Sequence, residues 1–153
     1  MKFAPFIPLL PLAGFLINGL LRNQLSKKTV SILGSGVIFI AFVRSLLVFN
    51  ATKAGETQVF NLFNFIDAGQ LHIPFEFQVD QLSSLFLLVI TGVGFLIHVY
   101  SAGYMHEENE AHFARYFAYL NLFVFSMLLL VLGGNYVIMF IGWEGVGLCS
   151  YLL

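Results

Sequence analysis

From Tyr136 to Leu153 the chain reads YVIMFIGWEGVGLCSYLL, and Glu144 is its only charged residue. An α-helix over that run rises roughly 27 Å, close to the hydrocarbon thickness of a bilayer. Glu144 then falls near mid-depth. Placing an acid there costs on the order of 2.5–3.5 kcal/mol on insertion scales. Such a group calls for a partner, a water-filled cavity or a proton. All three point toward ion or proton traffic.

The rest of the chain has the same character. It is 59% hydrophobic and 10% charged, with a mean hydropathy of +0.88. A water-soluble domain of this composition would lack the polar surface to cover itself. The class that fits is an all-α membrane protein with about five transmembrane helices in one membrane domain, 1–153. The apolar runs cover about 3–21, 30–49, 82–100, 116–132 and 136–153. Pro5, Pro8 and Pro11 predict an irregular start to the first. No A-x-A-like cleavage site follows that run, so it reads as a span rather than a removable leader. Cys149, alone in the chain, reads as a small packing residue.

The link between the second and third runs has a different period. Leu71, Ile73, Phe75, Phe77 and Val79 alternate with His72, Pro74, Glu76 and Gln78. Period two marks a half-buried strand, and Pro74, lacking an N–H, belongs at an unpaired position. Upstream, Val59 to Ile66 is another apolar-rich stretch, and Asp67-Ala68-Gly69-Gln70 between them is turn-like. A short β-hairpin against the membrane domain is expected in this outward loop. Arg22, Lys27, Lys28 and Arg115 lie on one side of the predicted bundle, Lys2 and Lys53 on the other. The richer side, with RNQLSKK and HEENEAHFAR, is the cytoplasmic one. No CxxC, HExxH, GxGxxG, phosphate loop or basic aromatic patch is present, so nucleic acid is not an expected partner.

Glu144 is the foremost candidate. Gly145 and Cys149 form a small-xxx-small pair near Gly142, and small residues let a helix approach closely. Glu144 is therefore expected to turn into the bundle, where desolvation favours its protonated form and a nearby cation its charged form. His98, near the cytoplasmic end of the third run, is a possible proton relay or a hydrogen-bonded packing residue. Arg44 suits snorkelling to the interface, or a bridge to an acid in the outward loop. Asp80 suits a helix N-cap. His106 and His112, beside three glutamates, suit a solvated loop better than a metal site. Trp143 and the phenylalanines suit packing and lipid contact.

Three blocks together carry a family resemblance: FIGWEGVGLCSYLL, GFLIHVYSAGYMHEE and VDQLSSLFLLVITGVGFL. They closely resemble the N-terminal part of the antiporter-like NuoL (chain 5) subunit of respiratory complex I, an NADH:quinone oxidoreductase. The resemblance covers essentially the whole chain. It implies a proton-translocating subunit beside other complex I membrane subunits in a lipid bilayer: the bacterial inner membrane first, the mitochondrial inner membrane second. It implies no cofactor in this chain, with NADH, FMN, iron–sulfur clusters and quinone handled by other subunits. It implies a fifth-helix glutamate, matched by Glu144, that works with a lysine on a broken seventh helix. That lysine has no counterpart before Leu153, so the chain reads as an N-terminal fragment that does not pump alone. The alternatives are the large subunit of a multisubunit Na+/H+ antiporter and a purely structural, non-translocating fragment.

Overall fold

The computed structural model describes residues 4–52 and 55–153. The expectations placed on Lys2, Phe3 and Lys53 lie outside the described residues. A 3-10 turn at Ala4–Phe6 leads into α1 (Leu9–Leu20) and α2 (Lys27–Ala51). The hairpin strands β1 (Gln58–Ala68) and β2 (Leu71–Val79) follow, then α3 (Gln81–Tyr104), α4 (Glu110–Leu132) and α5 (Tyr136–Leu152). α2, α3 and α4 are long and apolar enough to cross a membrane, while α1 and α5 are shorter apolar helices.

The prolines act where they do least damage. Pro8 stands just before α1, and Pro11 sits in its first turn, where backbone N–H groups lack intrahelical partners anyway. α2, α3 and α4 extend past their apolar runs. α4 begins at Glu110 rather than near Tyr116, because the Asn109 side chain accepts the backbone N–H of His112 at 2.9 Å. Ser26 caps α2 in the same way. Hydropathy marks the lipid-soluble part of a helix, whereas capping marks its end.

α4 is the central helix. It packs against α1, α2, α3 and α5, while α2 lies along α3. Its face carries Phe113, Phe117, Val124 and Leu128 into the core. Lys27 Nζ donates to the carbonyl of His106 at 2.8 Å, which ties the start of α2 to the α3–α4 loop. That contact puts RNQLSKK and HEENEAHFAR at one end of the bundle.

The hairpin occupies the other end. Its two strands pair antiparallel from Gln58↔Val79 to Ala68↔Leu71, with irregularities at Asn61/Phe63 and Asn64/Ile66. Gly69, at φ +64°, takes the first position of the two-residue loop, the position where a type II′ turn calls for glycine. The period-two face is buried only at its base, at Phe77 and Val79. Farther out, Phe63 stacks on Phe75 with ring centroids 5.0 Å apart. Asn135 clamps the base. Its Oδ1 caps α5 at the Ile138 N–H, and its amide donates to the Pro74 carbonyl at 2.8 Å. The Gly134 N–H adds a bond to the Glu76 carbonyl at 3.0 Å.

Candidate functional site

Glu144 is the ninth residue of the 17-residue α5, halfway along it. The backbone therefore delivers the carboxylate to mid-height, as the sequence requires. Its direction differs from the expected one. Ile138, Gly142 and Cys149 are buried, with Gly145 partly so, and this stripe faces α4. A Cβ on Gly142 would meet the backbone of Leu130, at 2.7 Å from its Cα, and one on Gly145 would lie 2.6 Å from Ser126 Oγ. Glu144 sits instead on the exposed stripe with Phe140, Trp143, Leu148 and Tyr151. The expectation that it turns into the bundle is corrected. Small residues mark the face that a neighbouring helix approaches, and at about 100° per residue Glu144 falls off that face. Glu144 has no ion pair or side-chain hydrogen bond among the described residues.

His98 is fully buried in α3. Its Nδ1 lies 2.7 Å from the Gly94 carbonyl, so that nitrogen carries the proton and donates. Nε2 is buried without a partner among the described residues. The ring stands edge-on to Phe117 of α4, with centroids 5.9 Å apart. His98 therefore points into the α3–α4 interface, while Glu144 points away from α4. The two are not brought together.

The other candidates have structural surroundings. Asp80 caps α3 through a reciprocal box: its Oδ1 accepts the Ser83 N–H at 2.7 Å, and its own N–H donates to Ser83 Oγ at 2.8 Å. The Ser83 N–H bond outweighs partial burial and holds the Asp80 carboxyl below its ordinary range. Arg44 is exposed two turns before the end of α2, and forms no ion pair with an outward-loop acid among the described residues. His112 Nδ1 lies 3.7 Å from Glu108, both half-exposed.

Two buried asparagines were not singled out from the sequence. Asn18 of α1 and Asn121 of α4 are both fully buried. Asn121 donates to the Phe117 carbonyl at 2.9 Å, but its Oδ1 and both polar atoms of Asn18 lack partners among the described residues. Gly14 and Gly34 leave room for them: a Cβ at Gly14 would lie 2.8 Å from Asn121 Oδ1, and one at Gly34 would lie 3.2 Å from Asn18 Nδ2. The signal that would have found them is the one that found Glu144, a polar residue inside an apolar run.

Residues 65–117 match the family profile described as NADH-Ubiquinone oxidoreductase (complex I), chain 5 N-terminus. The chain is 43% identical over 152 residues to NADH-quinone oxidoreductase subunit L of Rhodobacter capsulatus, covering 96% of this chain and 21% of that protein. It is 41% identical to subunit L of Escherichia coli strain K12, over 95% of this chain and 24% of that protein. It is 40% identical to NADH-ubiquinone oxidoreductase chain 5 of Metridium senile, over 94% of this chain and 24% of that protein. Over nearly its whole length the chain is similar to these subunit L and chain 5 proteins, and the matching profile is that of the chain 5 N-terminus. It spans about a fifth to a quarter of the length of these relatives. The stretch matched by the subunit L/chain 5 profile runs from the hairpin through α3 into α4. It holds Asp80 and His98 and stops before Glu144.

Proposed function

We propose that the chain is the opening part of a proton-translocating subunit of an NADH:quinone oxidoreductase in the bacterial inner membrane, and that Glu144 is a proton-carrying group of the intact subunit. One observation supports this most directly. Glu144 stands at the midpoint of α5, on the face that α4 leaves open. A carboxylate there costs free energy unless a further group meets it. The lysines of this chain, Lys2, Lys27, Lys28 and Lys53, all lie at or beyond the ends of the apolar runs. Arg44, a cation inside an apolar run, lies on α2 and forms no ion pair with Glu144 among the described residues; in this reading the cation that meets Glu144 is supplied by the longer part of the subunit.

The coupling follows from charge. Two unit charges 4 Å apart interact by about 4 kcal/mol at an effective dielectric of 20. Approach of a lysine favours the ionised acid and releases its proton; retreat of the lysine favours proton uptake. NADH oxidation and quinone reduction belong, in this reading, to other subunits of the complex. The names of the relatives favour this assignment over a stand-alone Na+/H+ antiporter.

The test is Glu144→Gln, with Glu144→Asp as the conservative control, in the full-length subunit assembled in its complex. Glu144→Gln is expected to lower proton uptake into reconstituted vesicles while leaving insertion and assembly intact, and Glu144→Asp to retain part of it. Wild-type pumping by Glu144→Gln overturns the proposal.

A further inference from the structure

At the end of the bundle that carries Arg22, Lys27, Lys28 and Arg115, α1 and α4 part to leave a groove of about 250 Å³. Its walls include Phe15 and Leu16 of α1 and Tyr119 of α4, and Arg22 and Arg115 line it as well. Its floor is formed where Gly19 meets Ala118: a Cβ at Gly19 would lie 3.8 Å from Ala118 Cβ, an ordinary contact. A larger residue at 19 would fill the space. Phe15 lies two turns from Arg22, so the apolar part of the groove reaches roughly 10 Å below the arginine level.

The two arginines have no partner among the described residues. Neither forms an ion pair or a side-chain hydrogen bond, and both are exposed. One acid, Glu108, borders the adjoining groove with Arg115 but lies 3.7 Å from His112. Lys27 is engaged by the His106 carbonyl. Among the described residues Arg22 and Arg115 thus form a pair of unpaired guanidinium forks at one end of an apolar slot between α1 and α4.

We propose that this groove is a binding site for one anionic phospholipid of the cytoplasmic leaflet. The phosphate is held by Arg22 and Arg115, and the start of an acyl chain lies against Phe15, Gly19 and Ala118. Guanidinium groups bind phosphate in bidentate geometry, and basic pockets between transmembrane helices on the cytoplasmic side take anionic headgroups. A zwitterionic lipid brings its own ammonium close to the arginines, which lowers its affinity. Two boundary arginines give an expected preference for the anionic lipid on the order of tenfold to thirtyfold.

The test reconstitutes the full-length subunit, assembled in its complex, in vesicles containing photoactivatable phosphatidylglycerol or phosphatidylcholine with identical acyl chains, and maps labelled residues by mass spectrometry. The wild-type chain is expected to be labelled between residues 15 and 22 and between 115 and 119, about tenfold more by phosphatidylglycerol. Arg22→Gln with Arg115→Gln is expected to remove the preference. Gly19→Leu is expected to remove the labelling while both arginines remain, and retained labelling elsewhere on α2 and α3 shows that each variant is still folded. Equal labelling of the wild type by the two lipids overturns the proposal. So does a preference that survives the double substitution. Full displacement by millimolar inorganic phosphate also overturns it, because the site then recognises phosphate alone, as does cross-linking of the groove to a second copy of the chain in place of lipid.

Discussion

The contact of α5 with α4 permits a graded test along three glycines of one helix. A methyl group on Gly142 would come within 2.7 Å of Leu130 Cα and 3.0 Å of Leu130 Cβ. Carbon atoms in contact normally lie about 3.5–4.0 Å apart. The obstacle includes backbone, so no rotamer change relieves it, and α5 must back away by roughly 1 Å. Overpacking of this kind costs about 1–3 kcal/mol. At Gly145 the obstacles are Ser126 Oγ at 2.6 Å and Ser126 Cβ at 3.0 Å; the closer one, the hydroxyl, can rotate away by giving up its bond to the Leu122 carbonyl. The cost there is about 1 kcal/mol. Gly147 has nothing within 4 Å, and alanine gains up to about 1 kcal/mol over glycine within a helix. The expected order of destabilisation is Gly142→Ala, then Gly145→Ala, with Gly147→Ala neutral or stabilising. Denaturant titration of the purified chain in mixed micelles, followed by the circular dichroism of its helices, reads the series. Gly147→Ala as harmful as Gly142→Ala would refute the assignment of the α4-facing stripe, and with it the outward direction of Glu144.

Three further outcomes are expected. Asp80→Ala removes the capping box and should lower stability by about 0.5–2 kcal/mol in the same titration. Because the Asp80 carboxyl is held below its ordinary value when folded, its contribution is full above the unfolded value near pH 3.9. It is lost as pH falls through the lower folded value; the acid limb of the stability curve should therefore be flatter in Asp80→Asn, and an unchanged limb counts against the cap. Asn135→Ala breaks both the α5 cap and the bond to Pro74, so hydrogen exchange should accelerate in β2 as well as in the first turn of α5. Acceleration confined to α5 would show that the hairpin is held by other contacts.

Much of the architecture is legible along the chain, because it is written in local periods and caps. The apolar runs are long enough to demand helices, since a backbone in lipid must satisfy its own hydrogen bonds. Alternation at Leu71–Val79 specifies the second strand, and Asp80 ahead of an apolar run announces the start of α3. The height of Glu144 is also local, being a count of residues at a fixed rise.

Direction around the helix is another matter. In a water-soluble helix the polar face points out and the apolar face points in, so pattern reveals orientation. Here both lipid and protein interior are apolar, and hydropathy does not tell one from the other. Phe140 and Ile138 look alike in sequence, yet one is exposed and the other buried. The clamp from Asn135 to Pro74 joins residues far apart in the chain, and the apposition of Asn18 and Asn121 around Gly14 and Gly34 depends on how α1, α2 and α4 cross. Chain-local chemistry thus sets which segments become helices or strands and how deep each residue lies. Packing among the helices sets which side of α5 meets α4, and so where the lone acid faces, because steric fit between small residues is a property of two surfaces rather than of one.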